Sequence, residues 1–127
     1  ELGGRARFLG SVNDVYERIY AADVLVLASR AEAFPLSVLE AMALGIPVAS
    51  TGAGGLPEML GRGAGLVVPS GDAGGLAEAV ARILEDTALR SDLAERARAE
   101  VSRFTDRRMA DAVLSVYRSC AHSLDGS

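Results

Sequence analysis

Short, mostly apolar runs alternate with segments of helical apolar spacing through the first half of the chain. Val24–Leu27 is such a run, as expected of a strand covered on both faces, and Ile46–Ser50 and Gly65–Pro69 contain two more. Between the first two runs lies an amphipathic segment that Gly45 is expected to end. Strand–helix–strand order predicts an α/β fold, a Rossmann-like parallel sheet layer with flanking helices and right-handed crossovers.

The N-terminal segment predicts one more strand and one more helix. Arg7–Leu9 is the expected strand, closed by Gly10, and apolar residues at helical spacing predict a helix over Val12–Ala21. Four strands are then expected, whereas a doubly wound sheet usually has about five or six. We therefore expect part of the sheet to lie outside this sequence.

The chain beyond Pro69 is predicted to be helical. Asp72 and Thr105 are expected N-caps for the first and last of three helices, and residues 123–127 are expected to form a frayed tail. The apolar stripes expected on the three helices are Leu76, Val80, Ile83 and Leu84; then Leu89, Leu93, Ala97 and Val101; and finally Met109, Val113, Val116, Tyr117 and Cys120.

Composition narrows the possible functions. The net charge of −4 removes the electrostatic case for nucleic-acid binding, and all 13 basic residues are arginine, so the chain has no lysine chemistry. No clustered Asp, His and Cys set predicts a metal site. Cys120 is expected in the core and His122 on the surface. A single cysteine and the absence of a leader pattern in the first ten residues predict a cytoplasmic protein.

Two carboxylates stand out beside the predicted second strand. Glu32 and Glu40 are separated by seven residues, and Pro35 between them suits the first position of a helix. The free N–H groups of that helix would form an anion site, which suits a diphosphate. Because helical side chains lean toward the N-terminus, Glu40 would point to the same mouth, where it could accept two hydroxyl groups of a ribose.

The same spacing has a plainer interpretation. Glu40 could be a solvated position on a helix whose apolar residues face the core, and Glu32 an exposed loop acid. Spacing alone leaves both interpretations open.

The wider sequence resembles a known enzyme family. "EAFPLSVLEAMALGIPV" (residues 32–48), "FLG" (8–10), "ADVLVLAS" (22–29), "GGLPE" (54–58) and "VPSGD" (68–72) resemble the C-terminal, nucleotide-sugar-binding domain of retaining, GT-B-fold family 4 glycosyltransferases. The resemblance runs from about Arg7 to Tyr117. It implies that residues 1–127 form about half of a GT-B C-terminal donor-binding domain.

The resemblance also implies roles for individual residues. Glu40 would bind the ribose, and Glu32 would contact the transferred sugar near the reacting centre as the catalytic candidate. The donor would be a nucleotide-diphosphate sugar, with no cofactor and no essential metal. The backbone amides expected to meet the sugar and diphosphate are those of Ala33, Phe34, Leu36 and Ser37, and the residues expected to border the nucleobase are Gly10, Ser11 and Val12.

Two departures from the family pattern bear on activity. Ala33 stands where glycine is usual, so its methyl group could restrict backbone approach to the sugar. The family holds the diphosphate with an Arg and a Lys from earlier in the domain, and neither is found here in that context. The acceptor would bind a missing N-terminal domain. The resemblance implies that the parent protein transfers a sugar with retention, and the missing parts lead us to expect the isolated chain to be inactive.

Other readings remain open. The chain could be a non-catalytic nucleotide-sugar-binding module, or a module that self-associates through an exposed strand edge. The parent could instead be a GT-B epimerase or phosphorylase, and peripheral membrane association of the parent stays open as well. Gly52–Gly55 invites a dinucleotide fingerprint, but Pro57 stands where the last glycine should be. Gly54 and Gly55 could line the donor pocket or simply form a turn.

Overall fold

The computed structural model describes residues 4–124, with side chains as far as residue 118. Its centre is a parallel sheet of three strands, β1 (Leu25–Leu27), β2 (Val48–Thr51) and β3 (Leu66–Val68), arranged in chain order. Every strand after the first is reached through a helix, as parallel pairing requires. The predicted α/β fold with a parallel sheet layer is confirmed.

Six helices flank the sheet in the described part of the chain. The predicted second helix is confirmed, and so are the three helices beyond Pro69. The helices are α1 (Val15–Tyr20), α2 (Leu36–Leu44), α3 (Leu56–Leu60), α4 (Ala73–Glu85), α5 (Thr87–Val101) and α6 (Asp106–Leu124).

The core lies on both faces of the central strand. Val48 and Ala49 are adjacent in β2 and fully buried, so their side chains point to opposite faces of the sheet. Val48 packs in a cluster with α2 and α3, and Ala49 packs in a second cluster with α4. Helix α5 joins the two clusters, since Ala97 belongs to the first and Leu93 to the second. The completely buried β2 is therefore the fixed reference for the loops at its end.

The residues predicted to begin or end three of the helices do so in the structure. Gly45 ends α2 in the left-handed conformation (φ 72°), which glycine adopts without a Cβ penalty. Asp72 begins α4 by accepting a 2.8 Å hydrogen bond from the Gly75 N–H. Thr105 begins α6 by accepting a 3.3 Å hydrogen bond from the Arg108 N–H.

The N-terminal predictions are partly wrong. Arg7–Leu9 is not a strand, because no other strand lies beside it among the described residues and an isolated strand is unstable. Phe8 is consequently 96% exposed. Helix α1 is shorter than the predicted Val12–Ala21, and Ile19 is its one buried residue.

Three further expectations are corrected. β1 is not covered on both faces: Val26 is 43% exposed because α4 packs on β2 and β3. Pro35 lies one position before the helix as the N-cap of α2, where its ψ of 116° is extended. Leu84 points away from the core of α4, whereas Leu76 and Ile83 are buried.

The last helix has the predicted apolar stripe, but that stripe is exposed. Met109 and Tyr117 are 66% and 69% exposed, and Val113 and Val116 are exposed with them. The helix continues to Leu124, through the first two residues of the expected tail. The side chains of Cys120 and His122 and the whole of residues 125–127 lie outside the described residues, so those expectations stay predictions.

Candidate functional site

The carboxyl ends of the three strands open into loops at one edge of the sheet. β1 leads into residues 28–35, β2 into residues 52–55 and β3 into residues 69–72. In open parallel sheets this edge is where ligands bind. The first of these loops carries Glu32, and α2 follows it directly.

Glu32 is tied to the end of the sheet through its own loop. The Ser29 hydroxyl donates a hydrogen bond to Glu32 Oε2 at 3.3 Å. The Ser29 carbonyl in turn accepts a 2.6 Å hydrogen bond from the hydroxyl of Thr51, the last residue of β2. Glu32 is half-buried, and its carboxylate is oriented by the Ser29 hydroxyl.

The glycine-rich loop after β2 packs directly on the backbone of Glu32 and Ala33. The Gly55 N–H donates a 3.1 Å hydrogen bond to the Ala33 carbonyl. Gly54 has a φ of +54°, and a Cβ at this position would overlap the carbonyl oxygen of Glu32. The loop therefore needs Gly54 both for its backbone conformation and for its closeness to Glu32. Gly54 and Gly55 thus form a turn that also supports the loop of residues 28–35, called the acidic loop below because it carries Glu32.

The N-terminus of α2 is open toward this loop. Its N-cap, Pro35, makes no side-chain cap, and its carbonyl accepts from the Val38 N–H at 3.1 Å. The N–H groups of Leu36 and Ser37 belong to the first turn, where the helix offers no acceptor. Glu40 follows on the same helix and is half-buried. No hydrogen bond or ion pair engages its carboxylate within the part of the chain that the structure describes.

Phe34 has a contact that the sequence did not predict. Its ring packs against Phe104 in the turn between α5 and α6, with centroids 5.5 Å apart and planes tilted by 60°. The Arg103 guanidinium lies 5.8 Å from the Phe104 ring centroid and pairs with Glu100 at 2.7 Å. The Phe34 ring therefore anchors the loop of residues 28–35 to the turn after α5, while Phe34 itself stays 43% exposed.

The segment expected to border a nucleobase is separate from these contacts. Gly10 and Ser11 are exposed and Val12 is half-buried. A Cβ at Gly10 would meet no atom within 4 Å. Among the described residues no hydrogen bond joins this segment to the Glu32 loop or to α2. Hydrogen bonds thus join residues 29–37 to residues 51–55, and none of them involves residues 10–12.

Two cavities flank the described fold, and neither is lined by Glu32 or Glu40. The first, about 520 Å³, lies between α4 and the ends of β1 and β2, with Arg30 and Asp72 on a mostly apolar wall. The second, about 680 Å³, lies between α2 and α6, beside Phe34 and Phe104. The first cavity is lined mainly by apolar groups, whereas the second also has charged side chains on its wall, among them Glu58 and Arg103.

Metal and membrane features complete the description of residues 4–124. Within that range, no three His, Cys, Asp or Glu side chains group as metal ligands. No helix there has the length and apolar character needed to cross a bilayer.

Comparison with known proteins identifies the family of this chain. The family described as "Glycosyl transferases group 1" matches residues 1–100, most of the chain. The chain therefore belongs to the group 1 glycosyl transferases. N-acetyl-alpha-D-glucosaminyl L-malate synthase of Bacillus anthracis is 39% identical over 98 residues, which are 76% of this chain and 26% of that protein.

Solved structures agree with the GT-B fold. Sucrose-phosphate synthase from Thermosynechococcus elongatus superposes with a TM-score of 0.79 at 36% identity, over 96% of this chain and 32% of that one. Anabaena HepE in complex with UDP-glucose superposes with a TM-score of 0.77 at 29% identity, over 99% of this chain and 34% of that one. The chain spans about a quarter to a third of the length of these relatives.

Proposed function

We propose that this chain is the donor-binding part of a family 4 glycosyltransferase that transfers a sugar, with retention, from a nucleotide-diphosphate sugar. Membership of the group 1 family and the HepE complex with UDP-glucose support this proposal. The observation that carries it is local. Glu32 is held by Ser29 beside the open N-terminus of α2, the helix that also bears Glu40.

The chemistry divides between the helix and the loop. Glu40 accepts hydrogen bonds from the ribose hydroxyls, since a carboxylate can accept from both members of a diol. The N–H groups of Leu36 and Ser37, at the positive end of the α2 dipole, donate to the diphosphate. The amides of Ala33 and Phe34 complete that contact.

Glu32 has the catalytic role in this proposal. Its carboxylate accepts hydroxyls of the transferred sugar and lies near the bond that breaks. Gly10, Ser11 and Val12 border the nucleobase. The family resemblance implies that the reaction proceeds with retention and needs no essential metal. Donor stabilisation is completed by an Arg and a Lys from outside this chain, so the chain alone binds donor weakly and does not turn it over.

Ligand-detected NMR on the chain tests the binding proposal. Saturation transfer is recorded with UDP-glucose, GDP-mannose and ADP-glucose for the wild type, Glu40→Ala and Glu78→Ala. Glu78 is an exposed glutamate on α4 that lines neither of the two cavities. We expect the ribose signals of one donor to be lost in Glu40→Ala and kept in Glu78→Ala. Equal signals in all three proteins would show that Glu40 is not the ribose ligand.

Retention needs the full-length protein. Proton NMR of the first product formed reports the anomeric configuration of the new bond. We expect the same configuration as in the donor, and an inverted product would refute retention while leaving donor binding intact.

A second candidate function is self-association. Within the described residues β1 pairs on one side only, and Val26 beside that free edge is exposed. Unpaired edges are templates for strand addition from another chain. Light scattering decides between the two: a monomer at all concentrations that binds a nucleotide sugar refutes the assembly function.

A further inference from the structure

The loop that carries Glu32 is held from β2 at two places. Thr51, at the end of β2, is only 4% exposed, and its hydroxyl donates the 2.6 Å hydrogen bond to the Ser29 carbonyl. Four residues further on, the Gly55 N–H donates to the Ala33 carbonyl at 3.1 Å. These two contacts fix the backbone on either side of Glu32.

We propose that Thr51 is a positioning residue for the donor sugar, because its hydroxyl sets the loop from which Ser29 orients the Glu32 carboxylate. The inference rests on the proposed function, since it assigns the sugar contact to Glu32. Thr51 is only 4% exposed, and the proposal assigns it no direct contact with the sugar or the reacting atoms. It acts through the Ser29 carbonyl, and the Ser29 hydroxyl then donates to Glu32 Oε2 at 3.3 Å.

Thr51 is suited to this task by its place in the sheet. It pairs with Val68 of β3, and all four residues of β2 are buried, so its hydroxyl starts from a rigid position. A hydrogen bond from a fixed donor to a backbone carbonyl restricts the loop more than one between two mobile side chains would. Ser29 lies just beyond β1, whose last residue Leu27 pairs with Ser50, so the neighbouring strand ends bring both partners together.

The two carboxylates are thereby positioned by different elements. Glu40 is set by α2, which Gly45 ends and whose buried residues pack in the core. Glu32 is set by the Thr51–Ser29 pair and the loop at Gly55. Loss of the Thr51 hydroxyl should therefore weaken contacts to the sugar and leave contacts to the nucleoside unchanged.

The test compares four variants with the wild type. Thr51→Val removes the hydroxyl and keeps the branched shape, and Thr51→Ser restores the hydroxyl. Ser29→Ala removes only the link to the Glu32 carboxylate, at a half-buried position that tolerates a smaller side chain. Ser50→Ala is the matched control: this buried hydroxyl has no hydrogen-bond partner among the described residues and lies on the opposite sheet face from Thr51.

NMR titration gives the affinities for UDP-glucose, GDP-mannose and ADP-glucose. The affinity for the corresponding nucleotide without the sugar (UDP, GDP or ADP) is measured in the same way. For the donor that binds, we expect Thr51→Val to lower the ratio of sugar-nucleotide to nucleotide affinity by roughly tenfold. This is the effect of losing about one hydrogen bond between a sugar hydroxyl and the charged Glu32 carboxylate. Ser29→Ala should lower the same ratio, Thr51→Ser should recover it, and Ser50→Ala should leave it unchanged. A role of Thr51 in folding alone would lower both affinities together.

Hydrogen exchange separates failure of this inference from failure of the proposed function. Without ligand, the Gly55 amide should exchange faster in Thr51→Val than in the wild type or Thr51→Ser, because the loop that accepts its hydrogen bond is released. If no donor binds the wild type, donor binding fails and this exchange result still tests the positioning role. An unchanged affinity ratio in both Thr51→Val and Ser29→Ala, or unchanged Gly55 exchange, would overturn the inference.

Discussion

The two segments expected to contact the donor are built in opposite ways. Residues 29–37 are held by a buried strand end, a glycine-rich loop and an aromatic pair. Residues 10–12 follow a stretch in which Phe8 is almost fully exposed, and Gly10 faces open space. The first segment thus has its geometry fixed by the described residues, and the second does not.

The same contrast appears between two helices. Helix α2 buries Val38, Ala41 and Met42 completely, whereas the apolar residues of α6 are exposed. Apolar residues at helical spacing occur in both, so the pattern predicts a helix but not what covers it. Position relative to the sheet decides that: α2 packs on β2, and α6 lies beyond the last core helix. A carboxylate on α2 is consequently far better fixed than one on α6 would be.

The largest expected effect contrasts these two helices. Met42→Ala should lower the free energy of unfolding by about 3 kcal/mol, because it leaves a cavity in the close-packed first core cluster. Met109→Ala removes the same side chain from the exposed face of α6 and should cost less than about 0.5 kcal/mol. Urea denaturation followed by circular dichroism measures both, and similar losses would show that α6 is covered in solution.

Substitution in the glycine-rich loop should have the next largest effect. Gly54→Ala places a methyl group on the Glu32 carbonyl at a left-handed position and should cost about 2 kcal/mol. Gly52→Ala in the same loop is the control, since its Cβ would meet neighbours only at 3.5 Å or more. In thermal unfolding, Gly54→Ala should have a lower melting temperature than Gly52→Ala. Equal melting temperatures would mean that Gly54 does not contact the Glu32 carbonyl.

The ring contact beneath the acidic loop should contribute less. Phe104→Leu keeps an apolar side chain but loses the ring pair with Phe34, which should cost about 1 kcal/mol. Phe8→Leu changes an exposed ring in the open segment and should stay within about 0.5 kcal/mol of the wild type. If both changes had the same effect on the urea midpoint, Phe34 would not be anchored through Phe104.

The smallest effect concerns the start of α1. The 2.8 Å hydrogen bond from Arg18 Nε lowers the pKa of the Asp14 carboxyl below its usual value of 3.8. Because the folded pKa is depressed, this contact stabilises the fold above the usual pKa and is lost as pH falls through the folded value. Carbon-detected NMR titration should give a midpoint below 3.8, which Arg18→Ala should raise. An unchanged midpoint in Arg18→Ala would contradict the contact.

Local signals in the sequence predicted much of the fold. Gly45 and Thr105 mark helix ends through interactions with residues close in the chain, and both predictions are confirmed. The strand at Arg7–Leu9 failed because a strand depends on its neighbour, which no local pattern shows. For the same reason the exposed Val26 was wrongly expected to be covered.

The candidate site was predictable in part. The spacing of Glu32 and Glu40 predicted a ligand site at the N-terminus of α2. The contact between Ser29 and Glu32 was also predictable, because a serine hydroxyl can reach a carboxylate three residues further along a loop. Thr51 could have been found only by aligning the ends of β1 and β2, since it lies 22 positions after Ser29 in the sequence. Phe104 carries no such signal, because its contact depends on the path of α5.

One measurement tests the central claim most directly, that the mouth of α2 and its preceding loop bind a nucleotide-diphosphate sugar. Proton–nitrogen correlation spectra of the ¹⁵N-labelled chain are recorded with increasing UDP-glucose, GDP-mannose or ADP-glucose. For at least one donor, we expect saturable shifts at the amides of Ala33 and Ser37 as well as Phe34 and Leu36, with Met109 on α6 unmoved. Because Phe34 and Leu36 also line the cavity between α2 and α6, shifts at these two residues and Met109 without shifts at Ala33 and Ser37 would contradict the claim, and so would the absence of a saturable shift with every donor.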